Sequence, residues 1–413
     1  SAALWAAEQG LRVALLEEGR IAGEQSGRNW GWVRRMGRAR AEYPLGIESL
    51  RIWEGLASRT SRETGFRRTG IVYGAATSAE LAWLERVEKD AQDFDLNVRR
   101  LGRAELATSF PGATLTENTA LLTQDDGRAE PGLATAAIAL GAQDAGAAIL
   151  QGCAARSIEM SAGQVSSVIT ERGPIKTSLV ILAGGAWSRV FAGNLGVDLP
   201  QLRVRGSVLR TSLVANGPSL TFGNGQFGIR PRLDGGYTIA QRGRSPVQIT
   251  PDAFRLMPKF LAGLQENSRD ISLTLDASFW QALMMQRRWS TDAVTPFERC
   301  RVLDPDPRTP GLEQALSDVR RSFPMFRDAK ILEQWGGIID VTPDGVPIID
   351  HISTVPGLVV ATGFSGHGFG IGPAAGKLAV ELGIDARPLV DPAPFQFSRF
   401  GRKPKTAFAA AQA

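Results

Sequence analysis

The opening nineteen residues constrain what this chain can fold into more than any other stretch. From Ser1 to Gly10, alanine and leucine, both strong helix formers, lead to a glycine stop. From Leu11 to Glu17 and Glu18 a short apolar run ends in acid. Helix, glycine, strand and terminal acid make the second half of a βαβ unit. In dinucleotide-binding versions of that unit, an acid about 20 residues past a glycine-rich loop accepts hydrogen bonds from ribose hydroxyls. Glu17 lies 16 positions beyond Ser1, so the register expects the loop immediately before residue 1 and an N-terminally truncated chain. A helix and strand of an unrelated α/β domain would look the same at this point.

A length of 413 residues allows two or three domains, and 43% hydrophobic with 22% charged residues is ordinary for a globular chain with a sizeable core. Two cysteines, Cys153 and Cys300, exclude a disulfide framework and every multi-cysteine zinc pattern. Two histidines, His351 and His367, exclude a histidine-rich metal site, so no metal is expected. No apolar run approaches the roughly 20 residues of a membrane span. The net charge of +5 is partly clustered at Arg28, Arg34, Arg35, Arg38 and Arg40, and again at Arg399, Arg402, Lys403 and Lys405. Such groups are solvated surface or attract anions. No helix interleaves basic and aromatic residues as nucleic-acid binding would ask.

Four later segments add to the opening. They are Gly23 to Arg34; Asp125 to Pro131, with Leu133, Ala136, Ala137 and Leu140 following at helical spacing; Leu179 to Ser188; and Trp335 through Thr342 to Pro373. In this order and spacing they resemble the D-amino-acid oxidase superfamily of flavoproteins over nearly the whole chain. Ile175 to Ser178, Ala183 to Leu195, Met257 to Phe260, Thr295 to Glu298 and Asp391 to Phe395 look more closely like the membrane-associated bacterial L-amino-acid deaminases. Arg28 to Arg40 and Gly363 to Gly372 look more like the D-amino-acid dehydrogenases and glycine oxidases, which leaves the substrate's hand open.

The resemblance implies an α/β fold with two discontinuous domains. An FAD-binding, Rossmann-like domain of the glutathione-reductase type takes residues 1–43, 125–200 and 330–395. A mixed-sheet substrate domain takes 44–124 and 201–329, with an inserted module at 251–300 and a tail at 396–413. It implies that Glu17 bonds the adenosine ribose and that backbone at Ala154 and Ala155 faces the adenine. Ser26, Gly27, Asn29 and Gly31 run beside the flavin, with Trp30 and Trp32 near the ring or in the core. Leu179 to Leu182 forms a strand buried on both faces, after which Gly184, Gly185 and Trp187 lie against the cofactor. Gly363, Gly366, His367, Gly368, Gly370 and Ile371 hold the flavin ring, at the start of a helix with Pro373 near its first turn. Arg230 binds the substrate carboxylate, and His367 beside the ring joins it as a candidate catalytic residue without being an obligate base. Phe297 to Arg301 does not match the cysteine site of covalent flavoproteins, so FAD is expected to be non-covalent.

The implied reaction is oxidation of an amino acid or secondary amine by hydride transfer from Cα, giving an imine and then a 2-oxo acid. The electron acceptor is oxygen or a quinone of the respiratory chain. The apolar and basic stretch Phe279 to Trp289 suggests peripheral membrane contact or an active-site lid, and the location is cytoplasmic or peripheral on the cytoplasmic membrane. Three other readings stay open: a 2-hydroxy-acid substrate, a flavin-holding electron-transfer subunit, and a cofactor-free product of an incomplete gene.

Overall fold

The computed structural model describes residues 1–242, 245–266 and 271–401; Arg402, Lys403 and Lys405 of the second basic group lie outside them. The opening unit forms as expected. Helix Ala2–Glu8 leads to strand Ala14–Glu17, which pairs in parallel with Ala148–Gln151, Glu17 opposite Gln151. The Ala148 strand follows helix Pro131–Asp144, whose proline stands in the first turn.

That helix turns a different face inward from the one its leucines suggest. Leu133 and Leu140 are exposed, and the buried residues are Ala134, Ala137, Gly141 and Ala142. The reason is close packing. A Cβ on Gly141 would lie 2.8 Å from Thr60 Cγ2 and 3.6 Å from Leu4 Cδ1, so only small residues fit against helices Ala2–Glu8 and Tyr43–Thr60.

Strand Val180–Leu182 runs parallel to Leu358–Thr362, which pairs antiparallel with Ile348–His351. The expectation that Leu179 to Leu182 is buried on both faces is corrected. Val180, Ile181 and Leu182 are half-buried, and Ala183 and Gly184 are exposed, because this strand is an edge of its three-stranded sheet. The doubly buried position belongs to Leu358–Thr362 in the middle.

Among the described residues the large sheet has ten strands. Its order runs from Ile271–Thr274 and Ser245–Gln248 through Leu202–Thr211, Tyr237–Gln241, Phe227–Pro231 and Thr221–Gly223. It ends in Ile71–Ala75, Thr119–Thr123 and Val98–Gly102. Ile331–Val341, assigned from sequence to the cofactor domain, instead pairs along its length with Leu202–Thr211. A long antiparallel ladder satisfies the backbone groups of both strands, and nothing in the local residue pattern reveals that partner. Asp234 and Gly235 turn the hairpin between Phe227–Pro231 and Tyr237–Gln241 as expected.

Alternation along these strands divides their side chains between two faces. Phe222, Phe227, Ile229 and Ile239 pack with Leu312, Leu316 and Val319 of helix Thr309–Ser322 into the largest core. Gly228, Arg230 and Thr238 take the other face. A Cβ on Gly228 would meet Trp30 at 2.9 Å and Trp32 at 3.1 Å, so both indoles pack against the sheet here, edge-to-face with each other.

The middle of the arginine-rich stretch is interior, while Arg40 at its end is exposed. Arg34, Arg35 and Arg38 are buried. Arg28 pairs with Asp304, Arg35 with Asp126 and Arg40 with Asp90. The last helix begins at Gly368, five residues before Pro373, and runs to Gly383. The first turn is therefore the glycine-rich segment itself, and Pro373 falls inside the helix.

Candidate functional site

Three segments far apart in sequence are clamped by one buried carboxylate, Asp340, which is 1% exposed. Its Oδ1 accepts from Gln25 Nε2 at 2.7 Å. Its Oδ2 accepts from Gln201 Nε2 at 2.7 Å, Thr362 Oγ1 at 3.1 Å and Gly363 N at 2.7 Å. Gln25 Oε1 in turn accepts from Ala186 N at 3.1 Å, and Gln201 Nε2 reaches Gly185 O at 3.0 Å. Helix Gln25–Arg28, the turn at Gly184 to Trp187 and the loop from Gly363 are thereby held together. Burial raises the Asp340 pKa, against the pull of these donors; only an ionised carboxylate can accept from all of them. Sequence reasoning missed Gln25, Gln201 and Asp340. The available signal was an acid inside the apolar run Ile338 to Val341.

Beyond Gly363 (φ +75°), the loop passes Ser365 (φ +50°) and Gly366 (φ +82°) into helix Gly368–Gly383. Gly366 is exposed and Gly368 half-buried. Near them lie the first N–H groups of a helix, which have no intrahelical acceptor and carry partial positive charge. Gly370 and Ile371 turn inward. Gly370 O accepts from Ser49 Oγ at 2.7 Å and Trp53 Nε1 at 2.9 Å, and Ile371 is fully buried.

His367 is likewise interior, 2% exposed, with Nδ1 3.3 Å from Glu42. Burial, helped by Arg38, pushes its pKa down to about 4 although Glu42 opposes the shift. The ring is neutral at physiological pH and a poor proton acceptor. The imidazole sits behind the helix start, on its interior side beside Glu42.

The segment Ser26 to Gly31 is held by its own side chains. Asn29 Nδ2 donates to Ser26 O at 2.8 Å and its Oδ1 accepts from Gly31 N at 2.8 Å. A Cβ on Gly27 would collide with Ala22 O. Gly31 (φ +80°) touches Ala129 O, and a Cβ there would lie 2.8 Å from Arg230 Nε. The sequence's one G-x-G-x-x-G run, Gly223 to Gly228, forms an antiparallel hairpin rather than a strand-to-helix turn, so it cannot cradle a phosphate as a dinucleotide loop does.

At the other end, Glu17 closes its strand and accepts from Gly19 N at 2.9 Å. Burial, reinforced by Glu24, raises its pKa to about 7. Ala154 has both backbone groups engaged by Glu171, whose Oε1 accepts from Ala154 N at 2.6 Å, and Ala155 begins the strand that follows. Trp187 is buried, edge-to-face with Phe297 at 5.2 Å between ring centroids and under the Arg203 guanidinium, so its indole packs in the core.

The raised Glu17 pKa gives a prediction. Folded Glu17 holds its proton up to about pH 7, whereas the unfolded carboxyl loses it near 4.5. Its stabilising contribution is therefore complete below 4.5 and lost as pH rises through 7. Glu17→Gln should match the parent at pH 4.5 and exceed it at pH 8, by up to about 3 kcal/mol at one pKa unit per 1.36 kcal/mol. Urea unfolding at the two pH values measures this; a difference that does not change with pH would refute it.

Arg230 is 1% exposed and already paired. Its Nη1 lies 2.8 Å from Glu130 Oε1, and its Nη2 lies 3.3 Å from Glu130 Oε2 and 2.8 Å from Thr238 Oγ1. Its Nε makes no hydrogen bond among the described residues. The guanidinium thus faces the Gly31 backbone on one side and an internal carboxylate on the other.

A nucleotide-type strand end, a three-segment clamp, a glycine-rich helix start and a buried guanidinium define a cofactor-dependent α/β enzyme. The chain matches the family described as DAO, FAD dependent oxidoreductase, over residues 1–382. It belongs to that family, whose members act on amino acids and amines, and its cofactor class is FAD. It is similar to L-amino acid deaminase from Proteus myxofaciens in complex with anthranilate, with a TM-score of 0.92 and 33% identity, over 97% of this chain and 90% of that one. L-amino acid deaminase from Proteus vulgaris gives a TM-score of 0.91 and 30% identity, over 96% and 94%. N-methyl-L-tryptophan oxidase of Salmonella arizonae is 26% identical over 97% of this chain and 96% of its own length.

The residues present suit FAD at both ends. Glu17 at a strand end would suit a ribose, Ala183 and Gly184 are small and exposed, and the N–H groups at the Gly366 to Gly368 turn would suit an anionic ring edge. Among the described residues no helix is long and apolar enough to cross a membrane.

Proposed function

We propose that this chain carries out oxidative deamination of an amino acid or secondary amine with non-covalently held FAD in a Rossmann-like domain. One observation supports this most: Gly31, in the segment implied to run beside the flavin, lies so close to Arg230 that a Cβ there would sit 2.8 Å from its Nε. A carboxylate-binding group thus lies next to the cofactor-lining chain. Bound FAD supplies a two-electron acceptor for the hydride from Cα. Arg230 orients the substrate through its carboxylate, and the N–H groups at the Gly368 helix start favour negative charge beside them. The Asp340 clamp keeps these parts in register. His367, neutral and internal, positions that helix. No side chain is assigned as base, so the amine reacts as its neutral form.

Non-covalent attachment agrees with both cysteines. Cys153 is fully buried, and burial, reinforced by Glu24, raises the Cys300 thiol pKa, which disfavours the reactive thiolate. The cofactor domain is proposed to comprise residues 1–43, 125–200 and 330–395 apart from strand Ile331–Val341, with 251–300 an insertion in the substrate domain. Phe254, Met257 and Leu261 share one outward helix face, and Trp280 (65% exposed) and Met284 (82%) stand out nearby. An exposed apolar surface of this kind suits a peripheral membrane contact and a quinone acceptor.

The test is anaerobic titration of the flavin-loaded protein with D- and L-amino acids, sarcosine and 2-hydroxy acids, followed by flavin absorbance. Bleaching by one amino-acid series is expected and also assigns the hand. Bleaching by 2-hydroxy acids alone would replace the amine reading, and failure to bind flavin would overturn it.

A further inference from the structure

The geometry points to Glu130 as a built-in competitor for the substrate's carboxylate: it occupies Arg230 in the resting chain and is displaced when a carboxylate ligand arrives. The inference rests on the proposed role of Arg230. Glu130 forms both ion-pair contacts to Arg230, and its Oε1 also accepts from Leu233 N at 3.1 Å.

Two other guanidiniums flank it. Arg232 Nη1 lies 3.7 Å from Glu130 Oε2, and Arg128 Nη1 lies 3.9 Å from Oε1. Arg128 Nε and Nη1 make no hydrogen bond among the described residues. Three arginines thus surround one glutamate, and the other acid that pairs with Arg232, Asp234, is shared with Arg210. The cluster holds more positive than negative charge, so a second carboxylate is electrostatically welcome.

Glu130 also has somewhere to go. Arg230 is sealed at 1% exposure, but the side chains of Arg128 and Arg232 are 11% and 19% exposed. A swing toward Arg128 keeps the glutamate paired and frees the face of Arg230. The side chain makes no helix-capping bond, although Glu130 stands at the N-cap of helix Pro131–Asp144, so the swing leaves the helix start intact. Burial favours the protonated acid, but the hydrogen bond and charge of Arg230 and the charge of Arg232 outweigh it and hold the pKa below the usual carboxylate range. The competitor is therefore charged at neutral pH.

The consequence is measurable. A site that is open only a fraction f of the time has its apparent Kd raised by 1/f. If the Glu130 pair is closed about nine-tenths of the time, its removal tightens carboxylate binding about tenfold. Benzoate binding to the full chain is measured by calorimetry for the parent, Glu130→Gln, Glu130→Asp and Arg230→Gln. Glu130→Gln should bind benzoate about tenfold more tightly, with Glu130→Asp in between.

Should Glu130→Gln fold only weakly, benzoate should restore its thermal transition more than it raises the parent's, and Glu130→Asp carries the affinity comparison. Unchanged or weaker binding in both Glu130 variants, with the parent still binding through Arg230, overturns the inference and leaves Glu130 a structural partner. Equal binding by parent and Arg230→Gln instead overturns the Arg230 assignment itself.

Discussion

Asp340→Ala is expected to destabilise the chain by roughly 4 kcal/mol or more, since each buried donor left without an acceptor costs about 1–3 kcal/mol. Four donors lose their acceptor: Gln25 Nε2, Gln201 Nε2, Thr362 Oγ1 and Gly363 N. Gln201 and Thr362 keep a second contact with Gly185 O, which softens their loss; Gly363 N has no such alternative among the described residues. Asp340→Asn should fall between parent and alanine. Its oxygen can still serve the three donors on one side. Its NH2 group then faces Gln25, whose amide must flip and give up the bond from Ala186 N. Denaturant unfolding of the three proteins measures this. An alanine variant within about 1 kcal/mol of the parent, the net worth of a single ordinary hydrogen bond, would show that Asp340 does not clamp these segments. Because the clamp spans the segments proposed to line the cofactor, flavin affinity should fall along with stability.

Gly31→Ala is the second large effect. The backbone there is left-handed at φ +80°, which costs an L-residue roughly 1–2 kcal/mol. Worse, the new methyl meets Ala129 O and sits 2.8 Å from Arg230 Nε. Neither neighbour yields readily: one is backbone, and the other belongs to a guanidinium fixed by Glu130 and Thr238. The variant should lose about 3 kcal/mol or more, combining the backbone strain with the 1–3 kcal/mol typical of overpacking, and should bind carboxylates more weakly because Arg230 is displaced. Gly55→Ala is the control. It lies inside helix Tyr43–Thr60 with open space where a Cβ would go, so it should stabilise by about 0.5–1 kcal/mol. Thermal unfolding and benzoate binding separate the two. A Gly31→Ala protein as stable as the parent would mean that the segment can move away from Arg230.

Much of the fold was legible. The helix, glycine and strand at the start, the proline-initiated helix at Pro131 and the Asp234-Gly235 hairpin rest on local propensity and turn chemistry, which act over a few residues. The misread faces had a common cause. Leu133 and Leu140 are the larger apolar residues of their helix, yet the inward side is set by how closely two other helices approach, and only Ala134, Ala137 and Gly141 are small enough. Val180 to Leu182 is apolar enough for a doubly buried strand but lies at a sheet edge.

The candidate site divides in the same way. The sequence by itself determined which residue types are present and which segments carry glycine where the chain must turn left-handed or pass close to another backbone, as at Gly31, Gly363 and Gly366. It also determined the acid at the end of the first strand. The tertiary structure alone decided what those residues meet. Gln25 and Asp340 are 315 positions apart, His367 and Glu42 are 325 apart, and Arg230 and Glu130 are 100 apart. Hydrogen bonds and ion pairs act over about 3 Å, so their partners depend on where the strands and helices come to rest. That is why Arg230 and His367 could be picked out as candidates before their partners were known, and only the fold shows Arg230 paired with Glu130 and His367 turned inward beside Glu42.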